Sequence, residues 1–392
     1  MVPDVVPLAP ERLTALDAHL RAAAEADEFS GVVRIEQHGE EVFERAYGVA
    51  SRRWDVPVRT TTRFDVASVT KLFTAVAVLQ LVGEGRLGLD DRVHDHVDLA
   101  GTRIPREVTV RHLLTHSSGI ADDADEEAGE SYEALWVDRP TYSVTRTADF
   151  LPGFVHKEPN FPPGEGCRYC NVGFVLAGLV LENVTGTTYR DRVREHVFAR
   201  AGMADSGFFR MDEAVPDVAE GWEPVHDDER VTGWRQNIFS YPPVGSPDGG
   251  AHVTAADLAR FWTAVRDGVL LPPDLTRAFL TPQVHHDDGD TDETDEKTGE
   301  GLPPGSRTAE VRYGFGIEFE LLADGGVRSA YKEGINTGSS AMLRHYPDGT
   351  DASAPGTTVV VVSNLEGGAW EPVRYLDTLV VSAARVQGPA QR

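Results

Sequence analysis

The sequence predicts an α/β (α+β) fold in which both ends of the chain build one antiparallel sheet. Three observations lead there. Strand-like runs occur before residue 50 and again after residue 310, the stretch between them reads as mostly helical, and an amphipathic helix lies at each end. The economical arrangement joins the terminal strands in one sheet, flanks it with the terminal helices and inserts the helical stretch as a second unit. The sheet-containing part then comprises residues 1–75 and 305–392, and the mostly helical domain with its acidic loops residues 76–304.

The elements follow in order. From Pro10 to Ala24, Leu13, Leu16 and Leu20 recur at helical spacing. Gly31–Gln37 and Glu41–Val49 are strand-like and meet at His38-Gly39, a hairpin signal. Ser68 to Val82 predicts a long helix that stops at Gly83-Glu84-Gly85. Thr109 is placed to cap a short helix through Leu114, and Asn171 to Asn183 continues with apolar spacing. Thr254 to Asp257 has the form of a capping box ahead of Leu258, Phe261 and Trp262. Four strands are then expected: Val311–Leu322, Val327–Tyr331, Ser340–Tyr346 and Thr357–Ser363. Asp324-Gly325-Gly326 and Pro347-Asp348-Gly349 punctuate them. Pro372 to Ala384 closes the chain as a helix with Val373, Leu376, Val380 and Ala383 on one face.

Composition narrows the function classes. The 392 residues are 41% hydrophobic, enough for a buried core. Against 37 basic residues stand 63 acidic ones, so the formal net charge is −26. Such a chain repels phosphate backbones and anionic lipid, which argues against nucleic-acid and membrane partners. The N-terminal MVPDVVPLAP lacks a basic region and a long apolar run, so a cytoplasmic location is expected. The two cysteines, Cys167 and Cys170, have C-x-x-C spacing but no second pair to complete a zinc site, and read as ordinary thiols. His94, His96, His285 and His286 show no metal-ligand spacing, and neither a metal nor another cofactor is expected. Two segments, Asp122–Glu133 and Asp287–Glu300, are strongly acidic; the second lacks the ligand order of a calcium loop and reads as solvated.

The chemistry concentrates in three short motifs. In Ser68-Val69-Thr70-Lys71, serine and lysine lie one helical turn apart, so the amine reaches the hydroxyl. A serine hydroxyl needs a base to become nucleophilic, and a lysine with a lowered pKa can supply it. Free N–H groups at a helix start favour the negative charge that develops on reaction. Only four lysines occur in the chain, which makes the pairing more notable, although S-x-x-K alone is a weak signal. Tyr169-Cys170-Asn171 is a Y-x-N triplet just before an apolar helix; its tyrosine can relay protons and its amide can orient a lysine or substrate. Lys332-Glu333-Gly334 ends a strand and leads into Ile335-Asn336-Thr337-Gly338-Ser339-Ser340, offering a fixed cation and a close backbone approach.

In this order the motifs resemble those of the serine β-lactamase and penicillin-binding protein superfamily. The Y-x-N form is similar to its class C branch, which includes esterases, D-aminopeptidases and D,D-carboxypeptidases. Arg111 to Gly119 resembles that branch's "LLTHTSG" segment, Gly249-Gly250 through Asp257-Leu258 its "GG" helix start, and Phe64 to Ala67 its approach to the serine. The resemblance spans roughly residues 25 to 385 and implies the β-lactamase/transpeptidase-like fold. It further implies that Ser68 forms the acyl-enzyme and that Lys71 and Tyr169 share the acid–base work. Asn171 and Lys332 would hold the proton network and the substrate. Backbone N–H groups of Ser68 and Ile335 would form the oxyanion hole, and Glu333, Gly334 and Asn336 would border the substrate. His116 is implied to be structural.

Two departures shape the expected activity. Glu333 stands where β-lactamases carry a hydroxyl, and no export signal is evident. The expectation is therefore a serine hydrolase acting as an esterase or amidase on a small ester, amide or acyl substrate. A transacylase using the same site, a β-lactamase or D,D-peptidase, and a non-catalytic penicillin-binding module are the alternatives. The literal triplet Lys297-Thr298-Gly299 also occurs, within the acidic segment, and is read as a decoy.

Overall fold

The computed structural model describes residues 8–125, 128–227, 230–285, 310–348 and 355–381. Lys297-Thr298-Gly299, His286 and the second acidic segment lie outside them. The centre is an eight-stranded sheet. Its strands are β1 (Gly31–Gln37), β2 (Glu40–Tyr47), β3 (Val284–His285), β4 (Glu310–Tyr313), β5 (Glu318–Leu321), β6 (Val327–Asn336), β7 (Ser339–Tyr346) and β8 (Thr357–Ser363). Their order is β2-β1-β8-β7-β6-β5-β4-β3. The two ends of the chain join where Val33 of β1 faces Val361 of β8, antiparallel. β1 and β2 turn through His38 and Gly39, both with positive φ (52° and 85°). That pair of left-handed residues matches the twist of a tight hairpin.

Each face of the sheet has its own apolar layer. α1 (Pro10–Glu25) and the C-terminal helix, Trp370–Val381, cover one face. There Leu16 and Leu20 pack with Val33, Ile35, Met342, Val361 and Leu376. The other face receives the helical region, where Leu72, Val76 and Phe174 join Val32, Leu343, Val360 and Val362. β8, with the sequence TTVVVVS, is buried along its whole length because both faces are covered.

Inside the helical region α2 (Thr70–Gly83) is buried at every residue from Thr70 to Leu81. α3 (Asn171–Thr185) is buried from Asn171 to Leu181 and stops at Gly186 in the left-handed conformation, φ 73°. Helices apolar all round belong in an interior, and these two pack together as its core. Among the described residues no helix is long and apolar enough to cross a membrane.

Four local expectations need correction. The helix expected from Ser68 begins at Thr70, and Ser68 lies in the 3₁₀ turn Ala67–Val69 before it. The strand expected over Val311–Leu322 is two strands, because Gly314 to Ile317 form a turn closed by Gly314 N–H on the Ile317 carbonyl at 2.7 Å. Lys332 lies within β6 rather than after it, since that strand continues to Asn336. The capping box is half made: Thr254 Oγ1 accepts from Asp257 N–H, but the Asp257 carboxylate accepts instead from Asp205 N–H and Ser206 Oγ. The middle of the chain also contains an unexpected hairpin, Trp222–Asp227 with Arg230–Gln236. Its polar, exposed residues give no core-facing alternation to detect.

Candidate active site

The turn that carries Ser68 is assembled from short-range constraints. Phe64–Asp65 pairs with His252–Val253 and aims the chain at the mouth of α2. Ala67 adopts φ +43°, a region that residues other than glycine seldom enter. Asp65 Oδ1 fixes it by accepting from Ala67 N–H at 2.7 Å. β6 presses on the turn from the other side. A Cβ on Gly334 would lie 2.3 Å from Val66 O and 2.8 Å from Ser68 N, so only glycine permits the approach. Gly334 thus sets the strand against the Ser68 turn, and the backbone it admits is the protein's own.

Ser68 Oγ sits between two proton carriers. Lys71 Nζ donates to it at 2.9 Å and Tyr169 Oη at 2.8 Å. Lys71 is fully buried, and its ammonium also donates to Asn171 Oδ1 and to the Asp248 carbonyl, each at 2.7 Å. The long side chain is therefore held in one place, where a flexible lysine would otherwise sample many rotamers. The Tyr169 ring lies between cations: Lys71 Nζ is 5.0 Å and Lys332 Nζ 4.9 Å from its centroid. His116 stacks on the same ring at 4.6 Å.

Asn171 owes its position to Asp122. It opens α3, and the first two N–H groups of that helix, from Asn171 and Val172, donate to the Asp122 carboxylate at 2.7 and 3.0 Å. The carboxylate does the work of a cap and complements the helix dipole. Lys157 Nζ holds the loop from outside through the carbonyls of Asp122 and Asp123. Burial, with Asp122 alongside, pushes the Asp123 carboxyl well above its ordinary range. His116, at φ +56°, accepts on Nδ1 from Cys170 N–H at 3.0 Å and so ties the loop to the Y-x-N triplet. Cys170 is buried, and burial pushes its thiol up. Both cysteines are free thiols.

Lys332 is buried and donates to Glu318 Oε1 at 2.6 Å. Strand alternation turns Lys332 and Gly334 toward the serine and leaves Glu333 exposed on the opposite side. Beyond Tyr331 the pairing of β6 with β5 ends, while its pairing with β7 continues through Asn336. The stretch from Lys332 to Asn336 is thus an open strand edge beside Ser68. Ile335 and Asn336 from this edge, together with Ser68, Asn171, Tyr241 and Asp248, line a cleft of about 550 Å³ including its mouth. The structure thus brings together Ser68, Lys71, Tyr169, Asn171, Lys332, Gly334, Ile335 and Asn336, and leaves Glu333 outside. Among the described residues no cluster of His, Cys, Asp and Glu could hold a metal ion.

Comparison with known proteins gives the family. The beta-lactamase family model matches residues 16–382. The chain belongs to the beta-lactamase family. Esterase EstB of Burkholderia gladioli is 34% identical over 294 residues, covering 69% of this chain and 74% of the esterase. Penicillin-binding protein 4 of Amycolatopsis lactamdurans is 32% identical over 249 residues, 61% of this chain and 60% of that protein. The crystal structure of a penicillin-binding protein from Bacillus halodurans superposes with a TM-score of 0.78 at 35% identity, covering 91% of this chain and 99% of the other.

For this beta-lactamase family member the three motifs were visible as spacings, but their partners were not. Asp122 was visible only as part of an acidic segment, and Asp248 contributes a carbonyl that any residue could supply. Glu318 left a trace: an acid in a predicted strand, the natural partner for a rare lysine on a neighbouring one.

Proposed function

We propose that the protein is a serine hydrolase that acylates on Ser68 and acts on small esters or amides. The observation that carries this reading is the pair of hydrogen bonds reaching Ser68 Oγ from Lys71 and Tyr169 at the edge of an open cleft. In the reacting form the Tyr169–Lys71 pair carries one proton fewer than when both donate to Ser68 Oγ, so one of the two is a phenolate or a neutral amine. When Ser68 Oγ attacks a substrate carbonyl carbon, its proton passes to that vacant site. The same pair returns a proton to the departing alcohol or amine. Water then attacks the acyl-enzyme, gives up a proton along the same route, and restores Ser68 as the acid leaves. The Ser68 N–H, at the head of the turn, and the Ile335 N–H, on the open edge, serve as oxyanion donors. Lys332 and Asn171 hold the network in place. A transacylase would use the same residues with an alcohol or amine in place of water.

The substrate preference follows from charge. Lys332 is neutralised by Glu318 inside the protein, so it offers little net attraction to a substrate carboxylate. Glu333 is exposed and is not among the residues that line the cleft, so its effect on a substrate carboxylate should be small. Short neutral esters should therefore be turned over faster than penicillins or cephalosporins, which carry a carboxylate. A fluorophosphonate probe tests the mechanism: intact mass should rise by one adduct, mapped to Ser68 and absent in Ser68→Ala. Label on another serine, or equal labelling of the variant, rejects the reading.

A further inference from the structure

Beyond Ser68 the wall of the cleft is apolar. Phe209, Met211, Pro242, Pro243 and Val244 line it, and Tyr132 joins them from the head of the 3₁₀ helix Glu133–Trp136. Backbone pairing makes the first part rigid, since Met211 N–H donates to the Pro243 carbonyl at 2.8 Å. Tyr132 is anchored edge-on to Trp136, with ring centroids 5.9 Å apart, and Trp136 is buried in the core. The polar side chains of the wall are bonded within the protein. Asp65 accepts from Ala67 N–H and from the Tyr241 hydroxyl, and Asp248 Oδ1 accepts from Ser246 Oγ at 2.6 Å. Burial keeps His252 below its ordinary value, hence neutral. Among the described residues that line the cleft none is lysine or arginine. An ionised substituent would therefore lose water without gaining a partner, whereas an apolar one gains by leaving water.

The position of the proton donors decides which half of an ester lies here. A departing alcohol must receive its proton from the Tyr169–Lys71 pair, and neither residue is among those that line the cleft. The cleft therefore faces the acyl half. Glu133 ties its two sides together. Its Oε1 accepts from Ser240 Oγ at 3.0 Å, across 107 residues, and from Arg235 Nη2 at 3.2 Å. Glu133 follows Tyr132 and Ser240 precedes Tyr241, and both tyrosines line the cleft. No step of the reaction uses this link. We propose that the cleft takes an uncharged, apolar acyl group, and that Glu133 is the positioning residue that sets its width by fixing Tyr132 relative to Tyr241. The proposal rests on the acyl-enzyme reading and adds the substrate class to it.

Hydrolysis of p-nitrophenyl acetate, butyrate, phenylacetate and glycinate by the full-length protein tests it, with each kcat/KM divided by the rate constant for hydroxide attack on the same ester. Each further methylene buried should raise the normalised value about fourfold. Butyrate and phenylacetate should then exceed acetate by roughly tenfold or more, and the cationic glycinate should not. Lengthening the alcohol instead, from ethyl to hexyl butyrate, should have little effect. Glu133→Ala should lower the phenylacetate-to-acetate ratio about fivefold, the worth of one hydrogen bond, through KM more than kcat. Glu133→Gln keeps the acceptor and should restore the ratio. Should Glu133→Ala fail to fold, Ser240→Ala breaks the same bond and should lower the ratio likewise. Turnover that persists in Ser68→Ala overturns the acyl-enzyme reading and this proposal with it. Turnover that needs Ser68 but favours acetate or glycinate, or that follows the alcohol chain, overturns this proposal alone. A ratio unchanged in the folded variants overturns the role of Glu133.

Discussion

Lys332 and Glu318 form an ion pair at 2.6 Å with side chains only 3% and 10% exposed, and separating its two roles tests the site most sharply. Removing one member leaves the other as an uncompensated buried charge, which costs about 3–5 kcal/mol. Lys332→Ala and Glu318→Ala should each lose stability in that range by urea denaturation. Replacing both with apolar residues of similar volume, Lys332→Met with Glu318→Leu, removes the charges together and should recover most of the loss. Activity should not recover with it. If Lys332 stabilises the transition state as one preorganised cation, its absence costs about 2–4 kcal/mol, or about 30- to 1,000-fold in kcat/KM. The assay is hydrolysis of a short p-nitrophenyl ester at a temperature where every variant is folded. A stable double variant with near wild-type kcat/KM would falsify the catalytic assignment and make the pair a strut of the sheet.

Other expectations are simpler. Gly334→Ala drives a methyl into Val66 O and Ser68 N; it should cost about 1–3 kcal/mol of stability by urea denaturation and lower kcat at least several-fold. Asp122→Ala strands the N–H groups of Asn171 and Val172, at about 1–3 kcal/mol for each donor, and should lower kcat more than it raises KM; unchanged stability would contradict the cap. The folded pKa of Asp123 is raised, so the folded state holds a proton that the unfolded chain releases above about pH 4. Its contribution therefore weakens as pH rises. Asp123→Asn should be more stable than wild type in urea at pH 8, with the gap closing toward pH 4, and a less stable variant at pH 8 refutes the assignment. Lys297→Ala should leave esterase kcat/KM within a few-fold of wild type, whereas Lys332→Ala should not.

Much of the fold was legible because its signals are local. The His38-Gly39 turn, the apolar spacing of Asn171–Asn183 and the valine run of β8 each declare an element through neighbours in sequence. Both apolar layers then require the two ends of the chain to meet. The site was legible wherever chemistry is tied to spacing, as with Ser68 and Lys71. It was hidden wherever the partner is distant in sequence. Asp122 caps Asn171 across 49 residues, and the Asp248 carbonyl receives Lys71 across 177.

The hidden contacts share one physical role, which is to remove freedom from groups that the motifs name. Ala67 stays in its costly conformation because Asp65 binds its N–H and Gly334 lets a strand press on the turn. Lys71 stays directed at Ser68 because Asn171 and the Asp248 carbonyl take up its other donors, and Asn171 is itself held by Asp122. The motif residues alone would be a serine, an amine and a phenol on mobile side chains. Reaction between bound groups depends on holding them in one near-attack geometry, and a misplacement of about 1 Å can cost on the order of 100-fold. On the proposed reaction, the positions that decide the rate extend to Asp65, Asp122 and Gly334. Substitution there should leave Ser68 able to take a fluorophosphonate, but more slowly, with the second-order labelling rate falling in step with kcat/KM for the ester. If labelling keeps its wild-type rate while ester turnover collapses, these residues serve deacylation or substrate fit, and the nucleophile turn stands without them.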